Sequence, residues 1–227
     1  SLSVDNRKRG NLKSLVSSFG IVLKNRRYVY YVLQMGFAMG VLFANISSSP
    51  FIVQQHYGFS AFEFSLFFGI NALAIGLAAG LSVKFKNPEH AMFLGSVGMT
   101  MMSAVEFVIL SNEYHFAVYE AVLFVLLFSM GLTFTASTTL AMDCERANSG
   151  TASALFGAAG FAFGGIVSPL VGLGDILSTT GLIFFVCSVC SLCFSVLAMN
   201  QTHTNLWGSF KCKMGPVTRF VFLRREK

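Results

Sequence analysis

Charge is what this sequence has least of. Only 11% of its 227 residues are charged, against roughly a quarter in a soluble domain. With 54% apolar residues, the chain carries more apolar surface than one water-facing core of this size can hide. Proline is scarce too, at four residues, so long helices meet few interruptions. Alternation of period two is missing, and long runs of Gly, Ala and Phe stand in its place. That pattern excludes a β-barrel and leaves helices. Residues 1–27 carry no signal-peptide pattern. No nucleophile paired with a base, no metal-ligand set and no phosphate-cradling Gly loop is found, so neither an enzyme nor a cofactor is expected.

What is present is a set of long apolar stretches. A helix rises about 1.5 Å per residue and the hydrocarbon core is about 30 Å thick, so a span needs roughly 20 apolar residues. Six stretches qualify: 28–48, 60–83, 90–111, 115–142, 149–172 and 177–199. None contains Lys or Arg, and three contain an acid: Glu63, Glu106 and Glu120. The expected fold is therefore an all-α membrane bundle of six helices over 28–199. It is flanked by a basic segment, 1–27, and a basic tail, 200–227.

The cations set the orientation. All 16 Lys and Arg fall before the first span, between spans two and three, between four and five, or after the sixth. The three alternate loops carry none. Positive charge is held on the cytoplasmic side of inner membranes, so both termini are expected there. The net charge of +6 thus reads as a partner for anionic headgroups rather than for nucleic acid. Leu12, Leu15, Val16, Phe19, Val22 and Leu23 recur at helical spacing, as in an amphipathic helix lying on the inner face. Trp207, Phe210, Phe220 and Phe222 among six cations give the tail a similar character. Cys187, Cys190 and Cys193 have a superficial metal-ligand spacing, but steps of three residues drift round a helix and converge poorly on one ion.

Lipid supplies no hydrophobic force between helices, so close packing relies on small residues. The first span has Gly36 and Gly40, the second Gly76 and Gly80, and the fifth Gly157, Gly160 and Gly164. The sixth span has no such ladder and reads as peripheral. Pro169, near Gly164 and Gly165, is expected to kink the outer end of span five.

Two stretches resemble a known family. Ile46-Ser-Ser-Ser-Pro-Phe-Ile-Val-Gln54 is similar to the Bcr/CflA branch of drug:proton antiporters in the major facilitator superfamily. So is Gly150-Thr-Ala-Ser-Ala-Leu-Phe-Gly157, running on to Val167-Ser-Pro-Leu-Val-Gly172. The resemblance covers about residues 20 to 200. The segment from Gly80 to Lys86 resembles the superfamily's cytoplasmic Gly-x-x-x-Asp-Arg/Lys motif, but Lys84 stands where the acid belongs. The resemblance implies that the six spans are helices seven to twelve of a twelve-helix transporter in a bacterial inner membrane. It implies an N-terminal six-helix partner half, and a family whose main proton-carrying acid generally lies in that half. Spans two and five would sit at the seam between halves, with Gly76, Gly80, Gly157, Gly160 and Gly164 as inter-half packing. Spans one and four would line the cavity.

Polar groups inside a span carry a desolvation cost, which makes each a site candidate. Tyr30, Gln34 and Asn45 lie on a stripe nearly opposite Gly36 and Gly40. They read as a cavity wall, with polar glue between helices as the alternative. Asn71, near mid-membrane, and Phe156, able to stack on a planar compound, join that list. Glu106 and Glu120 each lie five residues from a short outer loop, at one depth on adjacent helices. Burial and a neighbouring like charge both favour the protonated form of a carboxyl, so these two are the proton-coupling candidates, Glu120 ahead of Glu106.

The expected function is proton-coupled efflux of small apolar compounds. A sugar or nucleoside-like metabolite on the same scaffold, or a six-helix fragment without transport activity, are the alternatives. If the orientation is right, a cysteine placed at Gln55 reacts with an impermeant maleimide added outside intact cells; reaction only from the cytosolic side would reverse the topology.

Overall fold

The computed structural model describes residues 19–213, with side chains through Gln201. The amphipathic pattern before Phe19 and the aromatic side chains of the tail lie outside the described residues. Within them the chain is all helical, and six helices are long and apolar enough to cross a membrane. We label them α1 (Arg26–Pro50), α2 (Ala61–Ser82), α3 (Pro88–Ser111), α4 (Phe116–Cys144), α5 (Ser149–Val167) and α6 (Ile176–Lys213).

Local chemistry sets the helix ends. The side chain of Asn25 accepts from the backbone N–H of Tyr28 to start α1, and Asn87 does the same for Glu89 at the start of α3. Ser60 and Glu63 form a reciprocal capping box on α2. Glu63 is thereby an exposed cap and no part of an intramembrane site. Asp175 accepts from the backbone N–H of Ser178 at 2.9 Å, and that bond holds its carboxyl below the usual range. Pro50 cannot donate back along α1, and the chain continues as a π-helical turn, Phe51–His56, before Gly58 turns it at φ +76°. Beyond Val167, α5 tightens into the 3-10 segment Ser168–Leu173, with Pro169 in its first turn. Between α3 and α4, Glu113 takes a left-handed conformation (φ 52°), which makes that link short.

α1 and α4 form the centre. α1 packs on α4, α5 and α6, while α4 packs on α1, α2 and α3. α3 and α6 close against each other along one side, whereas α2 is packed chiefly on α4, and α5 chiefly on α1. Two apolar clusters fill the interior. One surrounds Met99, Leu123, Leu127 and Phe184 towards the end holding the Phe51–His56 turn. The other surrounds Tyr28, Tyr31, Met92 and Phe156 at the opposite end. That opposite end is tied by polar bonds. Arg27 meets Glu89 at 2.9 Å, Asn25 donates to Glu145 at 2.7 Å, and the Tyr28 hydroxyl donates to the Ala152 carbonyl at 2.6 Å. Lys84, Lys86 and Arg146 flank the same helix ends, so one end of the bundle gathers positive charge.

Glycines mark where backbones touch. A Cβ on Gly131 of α4 would stand 2.5 Å from the carbonyl oxygen of Ile75 on α2. One on Gly181 of α6 would meet the Phe107 backbone of α3 at 2.8 Å. Gly76 and Gly80 are different: nothing lies within 4 Å of the position a Cβ would take. Gly131→Ala is therefore expected to destabilise the bundle by about 1–3 kcal/mol, and Gly76→Ala to leave its thermal midpoint unchanged or slightly raised; equal loss in both variants would refute this division of glycines.

Candidate functional site

Three helices converge on a cluster of oxygen-bearing side chains near the end of the bundle where α3 stops and α4 starts. α2 contributes Asn71, buried on the face it turns to α4. α3 contributes Glu106, with no exposed surface at all. α4 contributes Tyr119, also wholly buried, and the half-buried Glu120. Asn71 Nδ2 donates to Glu120 Oε1 at 2.9 Å. Asn71 Oδ1, Glu120 Oε2 and both oxygens of Glu106 have no hydrogen-bond partner among the described residues. The Tyr119 hydroxyl lies beside Ser49 of α1, whose own proton is committed to Asn45.

An aromatic layer roofs the cluster. Tyr57 packs edge-on against Phe116 at 5.2 Å between ring centroids and tilted against Tyr119 at 5.8 Å. Phe59 and Phe67 close on the same Phe116 at 4.3 and 4.7 Å. The Tyr57 hydroxyl donates to the Tyr114 carbonyl at 2.9 Å, which fixes the layer to the link between α3 and α4. Beside Glu120 opens a pocket of about 450 Å³, lined by Phe67, Ile70, Phe116, Ala117, Glu120, Ala121 and Phe124. Two buried carboxyls, an amide and a phenol in an apolar surround can hold a proton or a cation, because each unpartnered oxygen is an acceptor without a donor.

The remaining residues singled out by sequence are scattered. Gln34 is completely buried where α1, α4 and α6 meet. It donates to Ser191 Oγ at 3.1 Å, accepts from Ser137, and its backbone carbonyl accepts from Ser191. All its polar atoms are thus spent on joining helices, which corrects the cavity-wall expectation. Asn45 is likewise buried and accepts from Ser49. Tyr30 lies beside Phe194 of α6, on the flank away from α2. Phe156 belongs to the apolar cluster around Tyr28 and is itself buried. Gly160 and Gly164 turn inward onto Met39 and Phe43 of α1, so that part of the expected inter-half stripe packs within the bundle. Gly76, Gly80 and Gly157 remain open. Cys187, Cys190 and Cys193 range from buried through half-buried to exposed and do not converge.

Sequence reasoning missed two features. The accessible face of α1 consists of Met39, Leu42, Phe43 and Ile46, whose i, i+3, i+4, i+7 spacing was readable as one stripe. The Arg27–Glu89 pair joins α1 to α3 across 62 residues, and no local spacing signals it.

A six-helix bundle with two central helices, two flanking ones open to a partner and two closing the back is the architecture of half a facilitator, and residues 2–169 match the Major Facilitator Superfamily. The chain belongs to that superfamily and is a multi-pass membrane protein. It is also 33% identical, over 209 residues, to the uncharacterized MFS-type transporter YdgK of Bacillus subtilis (strain 168). The match covers 90% of this chain and 52% of that protein, so the chain spans about half the length of the curated relative it matches.

Ser137→Ala removes the donor to the Gln34 side chain and is expected to lower stability by roughly 1 kcal/mol with substrate affinity unaltered. A shift in transport KM without loss of stability would return Gln34 to a cavity role.

Proposed function

We propose that this chain is the C-terminal six-helix half of a secondary transporter that exports small, largely apolar compounds in exchange for protons, in the manner of the Bcr/CflA branch. Its partner is then an N-terminal six-helix half, its place the bacterial inner membrane with both ends cytoplasmic, and its cycle alternating access. The observation that carries this reading is the unsatisfied outer surface of α2 and α5. Leu66, Leu73 and Leu77 are exposed along α2, and Gly76, Gly80 and Gly157 offer close approach to something not in this bundle. Helices with small-residue faces and no partner are where a second half can slide.

Proton coupling is assigned to Glu120, with Glu106 as its deeper neighbour. Both are intramembrane carboxyls, no Lys or Arg among the described residues pairs with either, and Asn71 leaves one oxygen of Glu120 free. The substrate path is assigned to the accessible face of α1, where Met39, Leu42, Phe43 and Ile46 offer apolar contact with few polar anchors, a permissive surface for varied compounds.

The complete polypeptide, expressed in an efflux-deficient strain, is expected to raise tolerance to neutral lipophilic antibacterials several-fold. In proteoliposomes, Glu120→Gln is expected to abolish efflux driven by a proton gradient. Unchanged tolerance to every compound, together with uptake of a sugar, would overturn export, and retained coupling in Glu120→Gln would remove that residue as the proton carrier.

A further inference from the structure

The pocket beside Glu120 carries a chemistry more specific than apolar export. Its walls are the rings of Phe67, Phe116 and Phe124, the side chain of Ile70, and the small Ala117 and Ala121, which leave it open. Glu120 is the one ionisable group in that lining. One of its oxygens is held by Asn71 and the other has no partner. The second carboxyl, Glu106, lies within electrostatic reach on α3, and the bundle's described cations gather at the far end of the helices.

We propose that this pocket binds a lipophilic organic monocation, with its quaternary or protonated nitrogen against Glu120 and its apolar body on the phenylalanine rings. A neutral compound filling the pocket would remove water from the free Glu120 oxygen and give nothing back, which costs binding free energy. A cation supplies the missing partner. The quadrupole of an aromatic ring attracts a positive charge over its face, and desolvation strengthens that attraction. Two acidic groups with no basic neighbour add a field of the same sense. The volume, about 450 Å³, suits a ligand of one to three rings. Asn71 is then a positioning residue: it fixes one carboxylate oxygen and directs the other into the pocket.

This inference deepens the export reading by naming the charge of one class of compound. It is tested by binding alone, so the two can fail separately. The probe pair is (naphthylmethyl)trimethylammonium and its neutral neopentyl analogue, which differ only in a nitrogen replaced by carbon. Both are titrated by equilibrium dialysis against the complete purified protein in detergent. The cation is expected to bind at least about tenfold more tightly, a factor that corresponds to about 1.4 kcal/mol. Glu120→Gln should bring the two probes to equal affinity, and Glu120→Asp should keep part of the preference. Ala121→Phe, which fills the pocket from its exposed wall without touching the charge, should weaken both probes. Size-exclusion profile and thermal midpoint report folding of each variant. Should Glu120→Gln not fold, the wild-type preference and Ala121→Phe decide the matter together. Equal binding of the two probes by the wild type, no binding of either, a preference that survives Glu120→Gln, or unchanged binding in Ala121→Phe would each overturn the proposal. Export of neutral compounds persisting beside any of those results would leave the transporter reading standing.

Discussion

Lipid as solvent is the constraint on which everything else in this protein depends. In water the burial of apolar side chains drives helices together; in a bilayer the tails are as apolar as Leu, and that force vanishes. What remains is close van der Waals contact and hydrogen bonds between helices. The bundle uses both. Gly131 and Gly181 let backbones meet, and Gln34 ties three helices through two serines. The same constraint explains why surfaces rich in Leu and Phe need no cover, and why glycines that touch nothing stand out against them. An exposed Leu on α2 is ordinary here; an exposed Gly76 between two such leucines is a place reserved for another backbone.

The spans were legible because they depend on composition alone. Twenty apolar residues without a cation form a helix in a bilayer whatever their neighbours, since unpaired peptide groups are not tolerated there. The faces were far less legible. A stripe at spacing four shows that residues share a side, but nothing in it says which neighbour lies opposite. Gln34 and Asn45 were correctly grouped and assigned to the wrong environment, because α1 is surrounded on three sides and its polar stripe points inward. The glycines of α5 divide for a similar reason. Helices cross at an angle, so Gly160 and Gly164 contact α1 where the axes are close, and Gly157, a turn away, does not. The shared depth of Glu106 and Glu120 was legible because a short link fixes the register of two antiparallel helices. Asn71 was marked as polar and mid-membrane, yet its bond to Glu120 depends on how α2 leans on α4, which no residue pattern encodes.

The two ends of the bundle differ in chemistry. One end is fastened by charge: Arg27 with Glu89, Asn25 with Glu145. Those groups border water, where exposed ion pairs are worth little individually, and they act by fixing which helices lie side by side. The other end is closed by rings around Phe116 over a layer of unpaired oxygens. Rings seal without satisfying the oxygens beneath, so that end holds polar groups in want of a ligand.

The short link that turns at Glu113 has a mechanical side. With so little chain between them, and with side-by-side packing along their length, α3 and α4 form a single lever carrying both carboxyls at a constant separation. α2 hangs on that lever through few polar threads, of which Asn71 to Glu120 is one and Ser82 to the Leu132 carbonyl, at 3.3 Å, another. Whatever occupies Glu120 is therefore felt first as a change in the tilt of α2, the helix whose far side is bare.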